Sequence, residues 1–395
     1  MPSSNVLIVR NIIDCFGENK GRAFAPMIDP IQDMLAEYQD LKFVTATTVG
    51  SRVKLPGHDN VDYFFRLIAL GEKAIRKLFG LPRNFLYFEK YYWKIFLLRK
   101  SIARVLCIEP SQSFLEACKN LSIDVCEVQH GVIDLSPTSL SHKDMTESDL
   151  YPDFFLSWDK RSGDNAVVRS YCKTSLLIGC SMALYHYCSH SSSIKLESPK
   201  SVSHTMPHRV NVLVTLQWGM GVSGPDYYSE LKLEDAYLPK EVLEYMAGSG
   251  TQYNYIFRLH PASKQVSGEV QSIFKCLHSF GLVGSMNELE RVSEVPLYKQ
   301  LEDAKLHITL YSSATIEAAY MGVPTILLDP LLNKGSVREK HFEQEISDGI
   351  ALISDIDDLD SSFEKALRSK DSSDISIETR FKVCKQSLKQ FLDRD

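Results

Sequence analysis

The chain has 395 residues, with 44 Lys and Arg against 50 Asp and Glu, a formal net charge of -6, 44% apolar residues and 24% charged ones. That length suffices for two domains, each burying a core without metals or disulfides, and the acidic balance excludes a protein whose main partner is nucleic acid, since phosphate neutralisation needs a surplus of Lys and Arg. No run reaches the ~18 apolar residues of a membrane helix, and Arg10 and Asp14 break the N-terminal apolar run, which lacks the basic leader of a signal peptide, so a cytoplasmic protein is expected.

Residues 5–13 predict a strand, 29–38 a helix and 41–49 a second strand. Aromatics and leucines at helical spacing follow between residues 60 and 100, and read first as helix faces packed on a core. A second reading takes the Arg/Lys/Tyr-rich stretch 75–100 as a contact for a lipid-linked acceptor or a membrane surface. Residues 103–109 are a near-continuous apolar strand, 111–123 an amphipathic helix with Ser111 as N-cap, and 124–131 another strand; 151–159 and 175–180 repeat the strand pattern. Strands alternating with helices of this length imply a parallel sheet flanked by helices.

Residues 186–208 are rich in Ser, His and Pro and lack periodicity. The expected division is therefore an N-terminal Rossmann-like domain over 1–190, a linker over 191–207, a C-terminal Rossmann-like domain over 208–377 and a terminal helix over 378–395. The second half repeats the α/β alternation: strands at 210–219, 253–261, 305–313, 325–329 and 348–353, and helices at 238–247, 294–304 and after Ser312-Ser313. The expected fold class is α/β, two parallel-sheet domains facing an inter-domain cleft. The nine cysteines are scattered without a CxxC and read as reduced, buried thiols.

Four polar clusters fall at predicted strand ends, where open α/β sheets bind ligands. Glu127, Gln129, His130 and Gly131 close the strand 124–131, with Glu127 and Gln129 on one face. Gln217, Trp218 and Gly219 begin a glycine-bearing loop that runs to Asp226; its Gly219-x-Gly221-x-x-Gly224 spacing is a weak dinucleotide fingerprint because no helix follows at once. Arg258 and His260-Pro261 end the strand 253–261, where a histidine can donate to a phosphate. Ser312, Ser313 and Glu317 open a helix, whose N-terminus is a ready anion site, with Glu317 one turn beyond Ser313.

In this order, QHG, a glycine loop, R-x-HP and SS-xxx-E, the motifs resemble GT-B glycosyltransferases, most closely the branch with bacterial sialyltransferases and capsule-type β-Kdo transferases. The resemblance spans residues 103–355. It implies that His260, Ser312 and Ser313 hold the donor phosphate, that Glu317 contacts the nucleotide ribose, that Gln129 and His130 face the cleft with His130 among the catalytic residues, and that Asp226 is the reacting carboxylate, with Glu127 as its rival. The paired acidic-acidic-glycine motif that supplies the base in many sialyltransferases is absent from the sequence.

The implied function is transfer of a sugar, Kdo or a related 2-keto acid sugar, from a CMP-sugar to a bacterial surface polysaccharide or lipid-linked glycan. No metal is expected: the clamp replaces it and the donor is a substrate. Such an enzyme works in the cytoplasm, at the inner face of the membrane when its acceptor is lipid-linked. The alternatives are a UDP- or GDP-hexose or polyol-phosphate transferase of the same fold, and a non-catalytic sugar-nucleotide-binding protein. A two-domain oxidoreductase ranks below these.

Overall fold

The computed structural model describes residues 5–10, 17–19, 22–35, 41–47, 70–71, 74–75, 77–80, 87–133, 150–164, 172–190, 209–218, 233–336, 338–354, 356–369 and 377–393. The chain forms two compact units. One comprises Met1–His186 with Ser376–Asp395; the other is Tyr187–Ile375. The division differs from the sequence expectation in two respects. It falls inside the helix Met182–His190, and the C-terminal helix Ile377–Leu392 belongs to the first unit instead of standing alone. The predicted linker lies outside the described residues.

The first unit is built on a six-stranded, all-parallel sheet. Its strands are β1 (Asn5–Arg10), β4 (Lys42–Thr47), β5 (Ile102–Cys107), β6 (Asp124–Val128), β7 (Phe154–Ser157) and β8 (Thr174–Leu177), in the order β4-β1-β5-β6-β7-β8. A small antiparallel hairpin, β2 (Gly17–Asn19) with β3 (Arg22–Phe24), is separate from it. β1 is central: Leu7 faces Val44 on one side and Val105 on the other. Its apolar run is continuous because both faces of the sheet are covered.

One face packs on the helices Tyr87–Arg99 and Gln112–Asn120, where Leu7, Val9, Trp93, Phe96, Val105 and Phe114 form a core. Trp93 and Phe114 meet edge to face with centroids 4.7 Å apart. Each such buried side chain contributes roughly 1.5–3 kcal/mol. The Ser111 cap forms as the sequence predicts, its hydroxyl accepting from the Phe114 amide at 3.3 Å.

The C-terminal helix returns to this unit through specific contacts. Phe391 packs on Phe154 and Phe381 on Tyr185, and an Arg380 guanidinium N–H donates to the Gly179 carbonyl at 2.9 Å. On the helix Tyr87–Arg99, Trp93 and Leu97 are buried while Tyr91, Ile95 and Leu98 are exposed at i, i+4, i+7 spacing. Among the described residues, no helix is long and apolar enough to cross a membrane.

The second unit holds a five-stranded parallel sheet. Its strands are β9 (Val210–Thr215), β10 (Tyr253–Arg258), β11 (Leu306–Thr309), β12 (Thr325–Leu327) and β13 (Ala351–Ile353), in the order β10-β9-β11-β12-β13. Val212, Val214, Ile308 and Ile326 join Leu243, Met246, Ile273 and Phe363 in its core. The helix Ala314–Tyr320 ends at Gly322, whose φ of +69° is a conformation glycine adopts at low cost. A buried polar chain crosses the sheet: His307 bonds Thr215 Oγ1 at 2.9 Å and Thr325 Oγ1 at 3.0 Å.

Candidate functional site

In each sheet the strand order reverses at one point. In the first it lies between β1 and β5, in the second between β9 and β11. At such a point the loops leave in opposite directions and open a crevice beyond the carboxyl ends of the strands. The candidate residues are measured against these two places, unit by unit.

In the second unit, Gln217 and Trp218 leave β9, His260 leaves β10, and Ser312 and Ser313 leave β11. All share the carboxyl edge of one parallel sheet. Bonds between the strand ends fix them there. The Leu216 amide donates to the Arg258 carbonyl at 2.9 Å. The Thr309 hydroxyl donates to the Thr215 carbonyl at 3.0 Å and accepts from the Ser312 amide at 3.3 Å.

His260 is held in a defined chemical form. Its Nδ1 accepts from the Ala262 amide at 3.1 Å, capping the short turn Pro261–Gln265. Nδ1 is therefore unprotonated, and Nε2 carries the ring hydrogen. Burial, with the Arg258 charge adding to it, pushes the imidazole pKa down to about 4. At neutral pH the ring is an uncharged Nε2–H donor. Pro261 sets the direction of the turn at its first position.

Arg258 does not project from this edge as the sequence reading expected. Its Nη1 donates to the Val295 carbonyl and to Gln300 Oε1, the latter at 2.7 Å, tying β10 to the helices Met286–Glu294 and Leu297–Asp303. Burial lowers its pKa to about 10, against the raising effect of Glu317. Glu317 is itself buried and accepts from the Tyr298 hydroxyl at 2.8 Å.

The serine loop also departs from expectation. The anticipated anion site was the row of free amides at a helix N-terminus. Here Ser312 Oγ accepts from the Ala314 amide at 3.2 Å, the Thr315 amide bonds the Ser312 carbonyl, and the Ile316 amide bonds the Ser313 carbonyl. A helix of seven residues begins with a tight turn that uses these donors itself. What the loop offers a ligand is its hydroxyls. Ser313 makes no side-chain capping bond.

Two features of this edge go beyond the sequence reading, which named Gln217 but not its state. Gln217 is buried, and its Nε2 has no hydrogen-bond partner among the described residues. Beside the serines, the Arg338 guanidinium lies 4.0 Å from the centre of the Tyr311 ring and pairs with the fully buried Asp329 at 3.2 Å. That pairing is set by tertiary structure and has no local sequence signal. Gly219 and Asp226 lie outside the described residues.

In the first unit, Glu127 is buried inside β6. Gln129 braces the sheet edge instead of projecting from it. Its Oε1 accepts from the Trp158 amide at 2.7 Å, and its Nε2 donates to the Gly131 carbonyl at 2.8 Å and to Ser162 Oγ at 3.2 Å. Next to Ser162, a Cβ on Gly163 would come within 2.7 Å of Ser157 Oγ, so the helix Lys160–Asp164 approaches β7 this closely only with glycine there. His130, half-buried, reaches back toward β5, with Nε2 3.3 Å from Glu109 Oε1. Gly131 follows it with open space where a Cβ would stand.

No family model matches the chain, and no curated protein matches it. Solved structures do. The UDP-GlcNAc 2-epimerase of Neisseria meningitidis bound to UDP-GlcNAc superposes with a TM-score of 0.61 at 13% identity, over 99% of this chain and 100% of that one. The fold is GT-B-like. The same likeness extends to S. aureus MnaA with UDP, at TM-score 0.57 and 9% identity over 97% of this chain and 91% of that one. A third GT-B-like match is the Methanocaldococcus jannaschii UDP-GlcNAc 2-epimerase with UDP-GlcNAc and UDP, at 0.55 and 14% over 98% and 99%. At these identities the likeness is one of fold, and function has to be argued from the site.

Proposed function

We propose that this GT-B-like protein is a glycosyltransferase that binds a nucleotide-activated sugar at the carboxyl edge of its second sheet. The donor we assign is a CMP-sugar carrying Kdo or a related 2-keto acid sugar. The acceptor is a bacterial surface polysaccharide or lipid-linked glycan. The observation that carries the reading is the state of His260, a neutral imidazole at the carboxyl end of β10 whose Nε2–H has no hydrogen-bond partner among the described residues. With the Ser312 and Ser313 hydroxyls and the buried Gln217 amide, it supplies neutral donors for a phosphate oxygen.

Among the described residues, the charge balance at this edge favours a donor with a single phosphate. Arg258 bonds internal acceptors and Arg338 pairs with Asp329. Neutral donors suit the one negative charge of the CMP phosphodiester better than the two of a diphosphate. As the bond to the sugar breaks, the second charge developing on the leaving CMP phosphate is met by these preorganised hydrogen bonds. The sugar carbon acquires oxocarbenium character, which a nearby carboxylate stabilises; Asp226 is proposed for that role, since its sequence rival Glu127 is buried inside β6. The exposed Tyr91, Ile95 and Leu98 face supports a peripheral membrane contact for a lipid-linked acceptor.

A second reading, a UDP-sugar enzyme, is favoured by the solved structures above, which carry UDP or UDP-GlcNAc on the same fold. Thermal shift with CMP, UDP, UDP-GlcNAc, GDP and NAD separates the two, because a ligand of the native state raises its melting temperature. The largest shift is expected with CMP. A larger one with UDP or UDP-GlcNAc moves the assignment to the second reading. A shift with NAD alone overturns both.

A further inference from the structure

The helix Met182–His190 carries two histidines, His186 and His190, that the donor site does not use. Residues four apart stand on one face of a helix, one turn from each other. A third group meets them there. Asp33 lies on the short helix Pro30–Met34, which Ile31 and Met34 anchor in the core. One ring nitrogen of each histidine and one carboxylate oxygen of Asp33 all lie within 4.8 Å of one another. Asp33 and His186 belong to the first unit, and His190 is the next turn of the helix that carries His186.

The surroundings suit a ligand that comes from solvent. Asp33 is exposed and both histidines are half-buried, so an ion can reach the three donor atoms. The Phe24 ring walls His186 on one side, with centroids 4.4 Å apart and planes 42° from parallel. That contact restricts the imidazole and keeps part of it dry.

We propose that Asp33, His186 and His190 bind a divalent transition-metal ion such as zinc. Two histidines three residues apart on a helix, with a carboxylate from another element, supply three ligands and leave the fourth tetrahedral position to water. The donor set decides the class of ion. Two imidazoles and one carboxylate suit zinc and its neighbours, whereas magnesium and calcium take oxygen ligands. Donors at bonding distance from a tetrahedral zinc stand roughly 3.3–3.5 Å apart, so small side-chain rotations close the group on the ion. The bound ion pins the helix Pro30–Met34 to the last turns of Met182–His190. It uses no residue assigned to the sugar nucleotide, so it stands whatever donor the second unit takes.

The test uses the full chain without an affinity tag, stripped of metal by a chelator, in titration calorimetry with zinc chloride and with magnesium chloride. One equivalent of zinc is expected to bind and to raise the melting temperature. Asp33→Ala and His190→Ala each remove one ligand. Each is expected to weaken zinc binding by more than the roughly 10–100-fold that loss of an outer-shell partner costs. Their melting temperatures without metal check that both remain folded. Cysteine is the rival ligand, because Cys188 lies between the two histidines in the chain and several other thiols are present. Cobalt in place of zinc separates them: the visible bands of a tetrahedral ion are expected, without the charge-transfer band that a thiolate adds. Four results overturn the proposal: no zinc bound by the unmodified protein, an unchanged affinity in either folded variant, a thiolate band with cobalt, or magnesium bound as tightly as zinc.

Discussion

The imidazole of His260 lies nearly flat against the indole of Trp218, with ring centroids 5.5 Å apart and planes 19° from parallel. The contact joins the ends of β9 and β10. It covers one face of the histidine, and burial is the larger cause of the depressed imidazole pKa. Trp218 is 39% exposed, so the indole also keeps surface free for a ligand.

Trp218→Ala opens that face to water. The His260 pKa is then expected to rise from about 4 toward its ordinary 6.5. An NMR titration of the ring protons reads this directly. A midpoint that stays near 4 would show that Arg258 and the strand ends, and not the indole, keep the ring neutral.

The two serines are expected to separate. Ser312 Oγ caps the following helix through the Ala314 amide, so Ser312→Ala removes a capping bond and costs about 1 kcal/mol of stability. Ser313 makes no such bond, and Ser313→Ala is expected to leave the urea midpoint within error. Both variants are expected to weaken CMP binding. Titration calorimetry beside urea unfolding checks the pair, and equal stability losses would refute the assignment of the cap.

Gln129 makes a third case, in which a residue of the QHG motif carries structure. Gln129→Ala leaves the Trp158 amide and the Gly131 carbonyl without their partner, an expected loss of about 2–4 kcal/mol. Gln129→Glu is expected to be no better, because a carboxylate oxygen would then oppose the Gly131 carbonyl. Melting temperatures of the two variants test this. A stable Gln129→Ala with impaired turnover would return the residue to the ligand.

How much of this was legible depends on the range of the interaction concerned. The strands of both sheets are continuous apolar runs, and their boundaries shift by only a few residues. Ser111 was legible because a cap is local. Gln129 was not, because its partners Trp158 and Ser162 lie about thirty residues away, beyond a different strand. Arg258 read as a ligand group because nothing in R-x-HP announces Gln300 and Val295. Asp33 was invisible as a neighbour of His186 and His190 because it lies far earlier in the chain. The helix Met182–His190 continues into the stretch that its Ser and His content made look irregular.

The buried His307 gives the last prediction. Burial alone pushes its imidazole pKa from 6.5 down to about 3, and the threonine hydroxyls on its two sides satisfy the neutral ring. The unfolded chain takes up this proton near pH 6.5, while the folded sheet does not until about pH 3. Between those values the unfolded state binds more protons, so stability falls as pH falls through this window. His260, with its pKa of about 4, acts in the same sense over the upper part of it. At about 1.4 kcal/mol per pH unit, His307 alone is expected to remove on the order of 2 kcal/mol between pH 6.5 and pH 4.5. Urea unfolding at the two pH values, with His307→Gln as the control, measures it. The variant starts less stable, because a glutamine does not span Thr215 and Thr325 as the ring does, but its loss across the window should be smaller by that amount. Equal losses in the two proteins would mean that His307 is not the group responsible.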